Sequence, residues 1–394
     1  MSPLPIAAFS VVSALGVGNA ATLAALRAGR GGLQQRRFET CTLDTWLGVV
    51  DAVDAVRLPA ALAGWDCRNN RLAELALASD DFGHQVRRVA ARVGAARVGV
   101  IAGTSTSGIL ASEIAYRSRD AATGALPAWL DYGRTHDNAS LARYVRTALG
   151  LAGPAWVIST ACSSGAKAYA SAARLIALGV IDAAVVGGVD SLCLTTLYGF
   201  NALELLSPDI CRPWDAHRNG LSLGEGASFA LLQRDAPSPA GWLLGCGESS
   251  DGYHMSAPHP DGAGAALAMR GALAQAGLAP ERVDYINLHG TATPNNDAAE
   301  DRAVCAVFGR DVPVSSTKGA TGHALGAAGA IEAAITLLAL QGGVVPAGLN
   351  LRERDASLHA HYVQQPHAQA LKVAASNSFG FGGSNACLLL GAPT

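Results

Sequence analysis

The sequence predicts an α/β fold built from two similar halves. Short β-rich apolar runs alternate with Ala/Leu-rich helical stretches, the pattern of a largely parallel sheet covered by helices. The 45 glycines lie at element ends rather than in one tract, as many tight strand-to-helix turns require. The order of elements also repeats along the chain.

The repeat pairs the elements in sequence. Arg97–Thr106 (RVGVIAGTST) reads as a strand entering a Gly/Thr turn, and so does Val283–Thr293 (VDYINLHGTAT). Ala155–Ile158 reads as an apolar strand that turns, through STACSSGAKA, into a small-residue helix over roughly Gly165–Leu178. Val312–Leu340 repeats that order with SSTKGATGHALGAAGA before its Ala-rich helix. A further apolar strand follows each pair, Ala183–Val189 and Val344–Ala347, and each half finishes on an apolar segment, Ala227–Leu232 and Asn385–Leu390. The halves are therefore expected at 1–236 and 237–394, related by a pseudo-dyad and joined near Pro237-Ser238-Pro239. At 394 residues the chain exceeds one ordinary core, which agrees.

Composition excludes several function classes. Half the residues are hydrophobic and 15% are charged, as in a compact enzyme rather than a disordered or fibrous chain. A net charge of -2 leaves no global basic field, so nucleic acid is not an expected partner and an acidic partner would need a local patch. The N-terminal stretch lacks a basic region and is broken by Pro5, Ser10, Ser13 and Gly16. No run reaches the roughly 20 apolar residues of a membrane span, so a soluble cytoplasmic protein is expected. The eight cysteines form no CxxC pair and no His/Cys cluster at zinc spacing, so a reduced compartment and no metal are expected.

Cys162 alone among those cysteines has a sequence context for chemistry. It sits where a strand becomes a helix, and orphan N–H groups and the helix dipole at such a turn stabilise a thiolate. If both halves present strand ends to one cleft, Cys162 faces the matching turns of the second half. Those turns carry His289 in LHGTATP and Lys318 and His323 in SSTKGATGH, and near the C-terminus comes Asn377-Ser378-Phe379-Gly380-Phe381-Gly382-Gly383-Ser384-Asn385. Each residue has an ordinary structural reading: a buried thiol, core imidazoles, a solvated lysine, a turn phenylalanine. Their conjunction in this order outweighs those readings.

Together these motifs closely resemble the elongating β-ketoacyl-acyl carrier protein synthases, condensing enzymes of the thiolase superfamily. Arg212-Pro213-Trp214-Asp215 and Gly224-Glu225-Gly226-Ala227 extend the resemblance over nearly the whole chain. It implies a thiolase-like five-layered αβαβα fold and a decarboxylative Claisen condensation in which Cys162 holds the acyl chain and malonyl-carrier supplies the extending unit. By resemblance the backbone N–H groups of Cys162 and Phe381 form the oxyanion hole, and His289 and His323 stabilise the malonyl-derived enolate. Lys318, with Glu332 as its acidic companion, tunes the site; Thr291 and Thr293 bind the phosphopantetheine arm; Phe381 gates the acyl tunnel.

The resemblance also implies no resident cofactor, because the arm arrives on the acyl carrier protein. The implied assembly is a homodimer, or a heterodimer with a chain-length-factor-like homologue, in which the strand before Cys162 pairs across the two-fold. Arg68 and Arg71 are candidate contacts for the acidic carrier. A thiolase would place a second cysteine in the C-terminal glycine loop, an initiating synthase would show a Cys-His-Asn set, a silent chain-length factor would lack the nucleophile, and a hydrolase elbow would read GxSxG. None of these fits. The short chain, Trp214 where housekeeping synthases favour phenylalanine, and Asn295-Asn296-Asp297 depart from those synthases and resemble those of aryl-polyene clusters, with ordinary fatty-acid elongation as the alternative.

Overall fold

The computed structural model describes residues 1–393. Its first half contributes strands β1 (Leu4–Ser13), β2 (Val98–Gly103), β3 (Ala155–Ile158), β4 (Ala183–Asp190) and β5 (Gly226–Gln233). The second contributes β6 (Gly241–Ser250), β7 (Tyr285–Asn287), β8 (Pro313–Ser315), β9 (Val373–Gly380) and β10 (Ser384–Gly391). The spatial order is β3-β2-β4-β5-β1 in one half and β8-β7-β9-β10-β6 in the other, which is the same order when each half is counted from its own first strand. The sequence repeat is thus a structural repeat. The halves join where β1 and β6 pair antiparallel, Leu4 opposite Leu243 and Ile6 opposite Gly241, and the Pro237-Ser238-Pro239 linker lies just before β6.

Two expectations are corrected. The sheet is mixed: β2 pairs in parallel with β3 and β4, whereas β5 runs antiparallel to both β4 and β1. The fourth strand of the second half is β9 and not Val344–Ala347, because Val344–Val345 pairs only with His367–Ala368 outside the main sheet. β9 has the same length as β4 and the same partners, β7 in parallel and β10 antiparallel.

Helices α1 (Arg68–Ala78), α2 (Phe82–Val93) and α3 (Ala139–Ala148) cover the outer face of the first half, and α5 (Ala263–Ala276) and α6 (Pro294–Phe308) cover that of the second. Between the two halves of the sheet lie α4 (Ser164–Ala177) and α8 (Ala328–Gly342), giving the αβαβα layering of the thiolase fold. One core joins the inner sheet faces to α4 and α8, while separate cores lie under the outer helices of each half. β4 (AAVVGGVD) is buried along its whole length, as a strand covered on both faces should be. Leu325–Gly342 is apolar enough for a membrane span, yet 89% of it is buried inside the molecule as the central helix.

Small residues set the distance between the central helices. A Cβ on Gly165 would stand 2.9 Å from both Ala330 N and Gly326 O, and one on Gly329 would stand 2.9 Å from Ala166 N. The N-termini of α4 and α8 therefore meet backbone to backbone, and the turns that precede them share one cavity.

Arg68 and Arg71 are not free docking charges. Arg68 is bidentate to Glu225 (2.7 and 2.6 Å) and also reaches Asp54 at 2.6 Å. Glu225 is wholly buried and needs that cation, so Arg68 is a structural counter-ion at the start of α1. Arg71 forks onto Asp66 at 2.5 and 2.6 Å.

Candidate active site

The turn between β3 and α4 presents Cys162. Ala161 before it takes a left-handed φ of 52°, which kinks the chain, and Ser163 and Ser164 bond back to the Thr160 and Ala161 carbonyls. Cys162 is only 5% exposed. Burial pushes its thiol up to about 11, opposed by the Lys318 ammonium and a hydrogen bond from the Phe381 backbone N–H. Cys162 therefore rests as a thiol. The sequence-level expectation of a thiolate at a helix start is corrected by tertiary burial, which favours the neutral form.

A proton acceptor stands beside it. His323 Nε2 lies 3.0 Å from Cys162 Sγ. His323 follows Gly322, whose φ of 74° ends the short helix α7 (Lys318–Thr321), and its main chain is pinned by His323 N donating to Ser222 O and Gly224 N donating to His323 O. Burial first and Lys318 second lower its pKa well below the usual value, so the ring is neutral. No protein group bonds its Nδ1, so the ring proton is pinned to neither nitrogen.

His289 differs in that respect. It follows β7, where Glu300 on α6 accepts from His289 N at 2.8 Å and from Gly290 N at 2.7 Å. Lys318 Nζ lies 3.3 Å from His289 Nδ1 and also bonds the His289 carbonyl and Glu332, with which it forms a buried ion pair. An ammonium has only donors, so it donates to Nδ1 and leaves the proton on Nε2. Burial, then Lys318, then His323 lower the His289 pKa well below its ordinary value. The result is a neutral imidazole locked as an Nε2–H donor. The two imidazoles meet edge-on, 5.4 Å between centroids.

Candidate ligand atoms of Cys162, His289 and His323 all lie within 4.8 Å of one another, a cluster that sequence spacing did not reveal. The His289 tautomer decides its use: with Nδ1 accepting from Lys318, Nε2 carries hydrogen and fits an oxyanion better than a metal.

These groups line a cavity of about 200 Å³ with Thr291, Thr293, Phe200 and Phe381. The two threonine hydroxyls are 2.9 Å apart. Phe381 packs on Phe200, centroids 5.6 Å apart, and is followed by Gly382 and Gly383 at φ 77° and 73°. The fold thus gathers Cys162, His289, His323, Thr291, Thr293 and Phe381 around one space, with Lys318 and Glu332 behind His289. Sequence reasoning missed Glu300, whose carboxyl burial raises to about 7 against three hydrogen bonds. Its signal was the spacing of Asp297 and Glu300, two acids on the buried face of α6 just after the histidine motif.

Known proteins resemble this chain in sequence and in fold. Residues 80–238 match the pattern of the β-ketoacyl synthase N-terminal domain and residues 240–352 that of its C-terminal domain. Nodulation protein E of Rhizobium meliloti is 38% identical over 305 residues, 75% of each chain. The chain belongs to the β-ketoacyl synthase family. Among its relatives, 3-oxoacyl-[acyl-carrier-protein] synthase 2 of Vibrio cholerae is 40% identical over 261 residues, 61% of this chain and 63% of that protein. The match therefore spans less than two thirds of that relative's length. Among solved structures, a chain of the complex of the ketosynthase ApeO with its chain length factor ApeC from Xenorhabdus doucetiae superposes with a TM-score of 0.88 at 37% identity, covering 99% of this chain and 98% of that one. A β-ketoacyl synthase from Burkholderia phymatum gives 0.88 at 29% identity over the full length of both chains.

Proposed function

We propose that the protein is a β-ketoacyl-acyl carrier protein synthase, an acyltransferase that forms a carbon–carbon bond by decarboxylative Claisen condensation. The observation that carries this reading is the contact of Cys162 Sγ with a neutral His323 beside a second neutral imidazole, His289, locked as an N–H donor. In the first half-reaction the thiol gives its proton to His323 as sulfur attacks a carrier thioester. The Cys162 and Phe381 N–H groups hold the oxyanion, and the departing pantetheine thiolate takes the proton back. In the second, malonyl-carrier loses CO₂ and its thioester oxygen becomes an enolate, which His289 Nε2–H and the His323 ring stabilise. The enolate carbon then attacks the acyl group on Cys162 and releases the sulfur. Thr291 and Thr293 hold the pantetheine arm and Phe381 gates the acyl space. Lys318 and Glu332 set the His289 tautomer. No resident cofactor or metal takes part.

In this reading the two halves, 1–236 and 237–394, each supply part of the site, and the protein works in the cytoplasm with its eight thiols free. β3 ends the sheet with one edge unpaired and Trp156 36% exposed, which supports strand pairing across a two-fold. Two neighbouring structures, ApeO with ApeC and the ishigamide ketosynthase/chain length factor, support a chain-length-factor-like homologue as that partner. We place the reaction in aryl-polyene or related polyene synthesis rather than in fatty-acid elongation. Intact-mass detection of the acyl adduct on Cys162, with aryl, polyenoyl and saturated carrier-bound substrates and with or without such a partner, tests this. Aryl or polyenoyl loading is expected; exclusive loading by saturated chains overturns the polyene assignment.

A further inference from the structure

Asp190, the last residue of β4, is wholly buried, and the reaction above does not use it. Among the described residues no cation pairs with it. Its Oδ1 accepts from Thr104 Oγ1 (2.7 Å), Ser105 N (2.8 Å), Thr106 N (2.8 Å) and Thr106 Oγ1 (2.8 Å). Its Oδ2 accepts from Ser105 N at 3.1 Å and from Ala327 N at 3.2 Å. The first donors belong to the turn after β2. Ala327 belongs to the other half, in the turn that leads from His323 into α8.

The pseudo-dyad gives this contact its meaning. Cys162 lies two residues before α4, and Gly326 lies two residues before α8. Gly380 ends β9 as Asp190 ends β4. Each strand end abuts the turn of the opposite half: a Cβ on Gly380 would stand 3.1 Å from Cys162 N, and one on Gly326 would stand 2.8 Å from Asp190 Oδ2. One of these two contacts shapes the nucleophile turn and the other shapes the histidine turn. The histidine turn is held at its start by the Ser222 and Gly224 main-chain bonds and at its end by Asp190, with only Ala324 to Gly326 between.

We propose that Asp190 is a positioning residue for the reaction: its carboxylate ties the turn after β2 to Ala327 and so holds His323 Nε2 against Cys162 Sγ. A neutral or apolar residue could fill the volume, but only a carboxylate accepts from all these donors at once. This rests on the proposed function for its rate assay, and a substrate-free readout separates the two.

The test compares Asp190→Asn, which turns one acceptor into a donor facing N–H groups, with Gly326→Ala, which pushes on the same contact from the other side. Malonyl-carrier decarboxylation should lose at least about tenfold in kcat in each variant, with KM for the carrier within about twofold. The double variant should lose less than the product of the single losses, because both act on one contact. Alkylation of Cys162 by iodoacetamide, which needs no carrier, should slow at least about threefold in each as the thiol loses its proton acceptor. Unchanged alkylation and decarboxylation in either folded variant overturns the proposal, as does a rise in KM that accounts for the whole loss. A wild-type protein that never decarboxylates malonyl-carrier, while both variants still slow alkylation, overturns the reaction and leaves the positioning role standing.

Discussion

Replacing Lys318 by methionine separates the two tasks of a buried cation. In the native site Lys318 neutralises Glu332 and donates to His289 Nδ1 at 3.3 Å. Lys318→Met leaves the Glu332 carboxylate buried without its partner, and breaking such a pair from one side destabilises by about 3–5 kcal/mol. It also frees His289 to move its proton to Nδ1, which removes one enolate donor, and a lost donor of this kind lowers kcat by about 10²- to 10³-fold. Adding Glu332→Gln removes the stranded charge, so the double variant should recover most of the stability and none of the rate. The stability deficit of the single variant also has a sign in pH. Burial already raises the Glu332 carboxyl and Lys318 opposes that rise, so losing Lys318 raises it further. The deficit should therefore be small in acid, where the carboxyl is protonated in folded and unfolded chains alike, and grow as pH increases. Urea unfolding measures the first effect and mass-detected loss of CO₂ from malonyl-carrier the second. A single variant that decarboxylates within about threefold of wild type, or a double variant that regains the rate, would refute the tautomer argument.

Three further outcomes follow from named contacts. Gly165→Ala forces a Cβ to within 2.9 Å of the α8 backbone and should destabilise by about 1–3 kcal/mol in denaturant unfolding while depressing both half-reactions, because it spreads the two turns. Glu300 is held at about 7 in the fold against an ordinary 4.5, so its contribution to stability is present below 4.5 and lost as pH rises through about 7. At about 1.36 kcal/mol per pH unit this amounts to about 3 kcal/mol, and Glu300→Gln should lack that slope, so the unfolding free energy of wild type minus that of the variant should fall by this amount between about pH 4.5 and 7; a difference independent of pH refutes it. Arg68→Ala strands the buried Glu225 and should destabilise by about 3–5 kcal/mol with carrier KM unchanged, whereas a folded variant with a raised KM would restore the docking role.

The candidate site was legible in the sequence because each of its side chains sits in a local motif: Cys162 between strand and helix, His289 and His323 beside glycine and threonine turns. The repeat was legible where strand and turn are contiguous, as in Arg97–Thr106 against Val283–Thr293. It failed at the fourth strand, since Val344–Val345 comes first after the helix while β9 begins only at Val373, beyond an irregular excursion. β9 has few bulky apolar residues and reads as a motif rather than as a strand. What remained hidden depends on partners far away in the chain. Arg68 looked free because Glu225 is 157 positions distant, and the Cys162 thiol looked activated because its burial comes from both halves.

The backbone contact between the central helices also limits the stoichiometry of the molecule. At the position in the second half that corresponds to Cys162, the chain carries Gly326, and the space where a side chain would stand is taken by Asp190 and Ser105. Duplication of the fold has therefore not duplicated the thiol. On the proposed reaction each chain loads one acyl group at this turn, and the corresponding turn of the second half carries Gly326 against Asp190 instead.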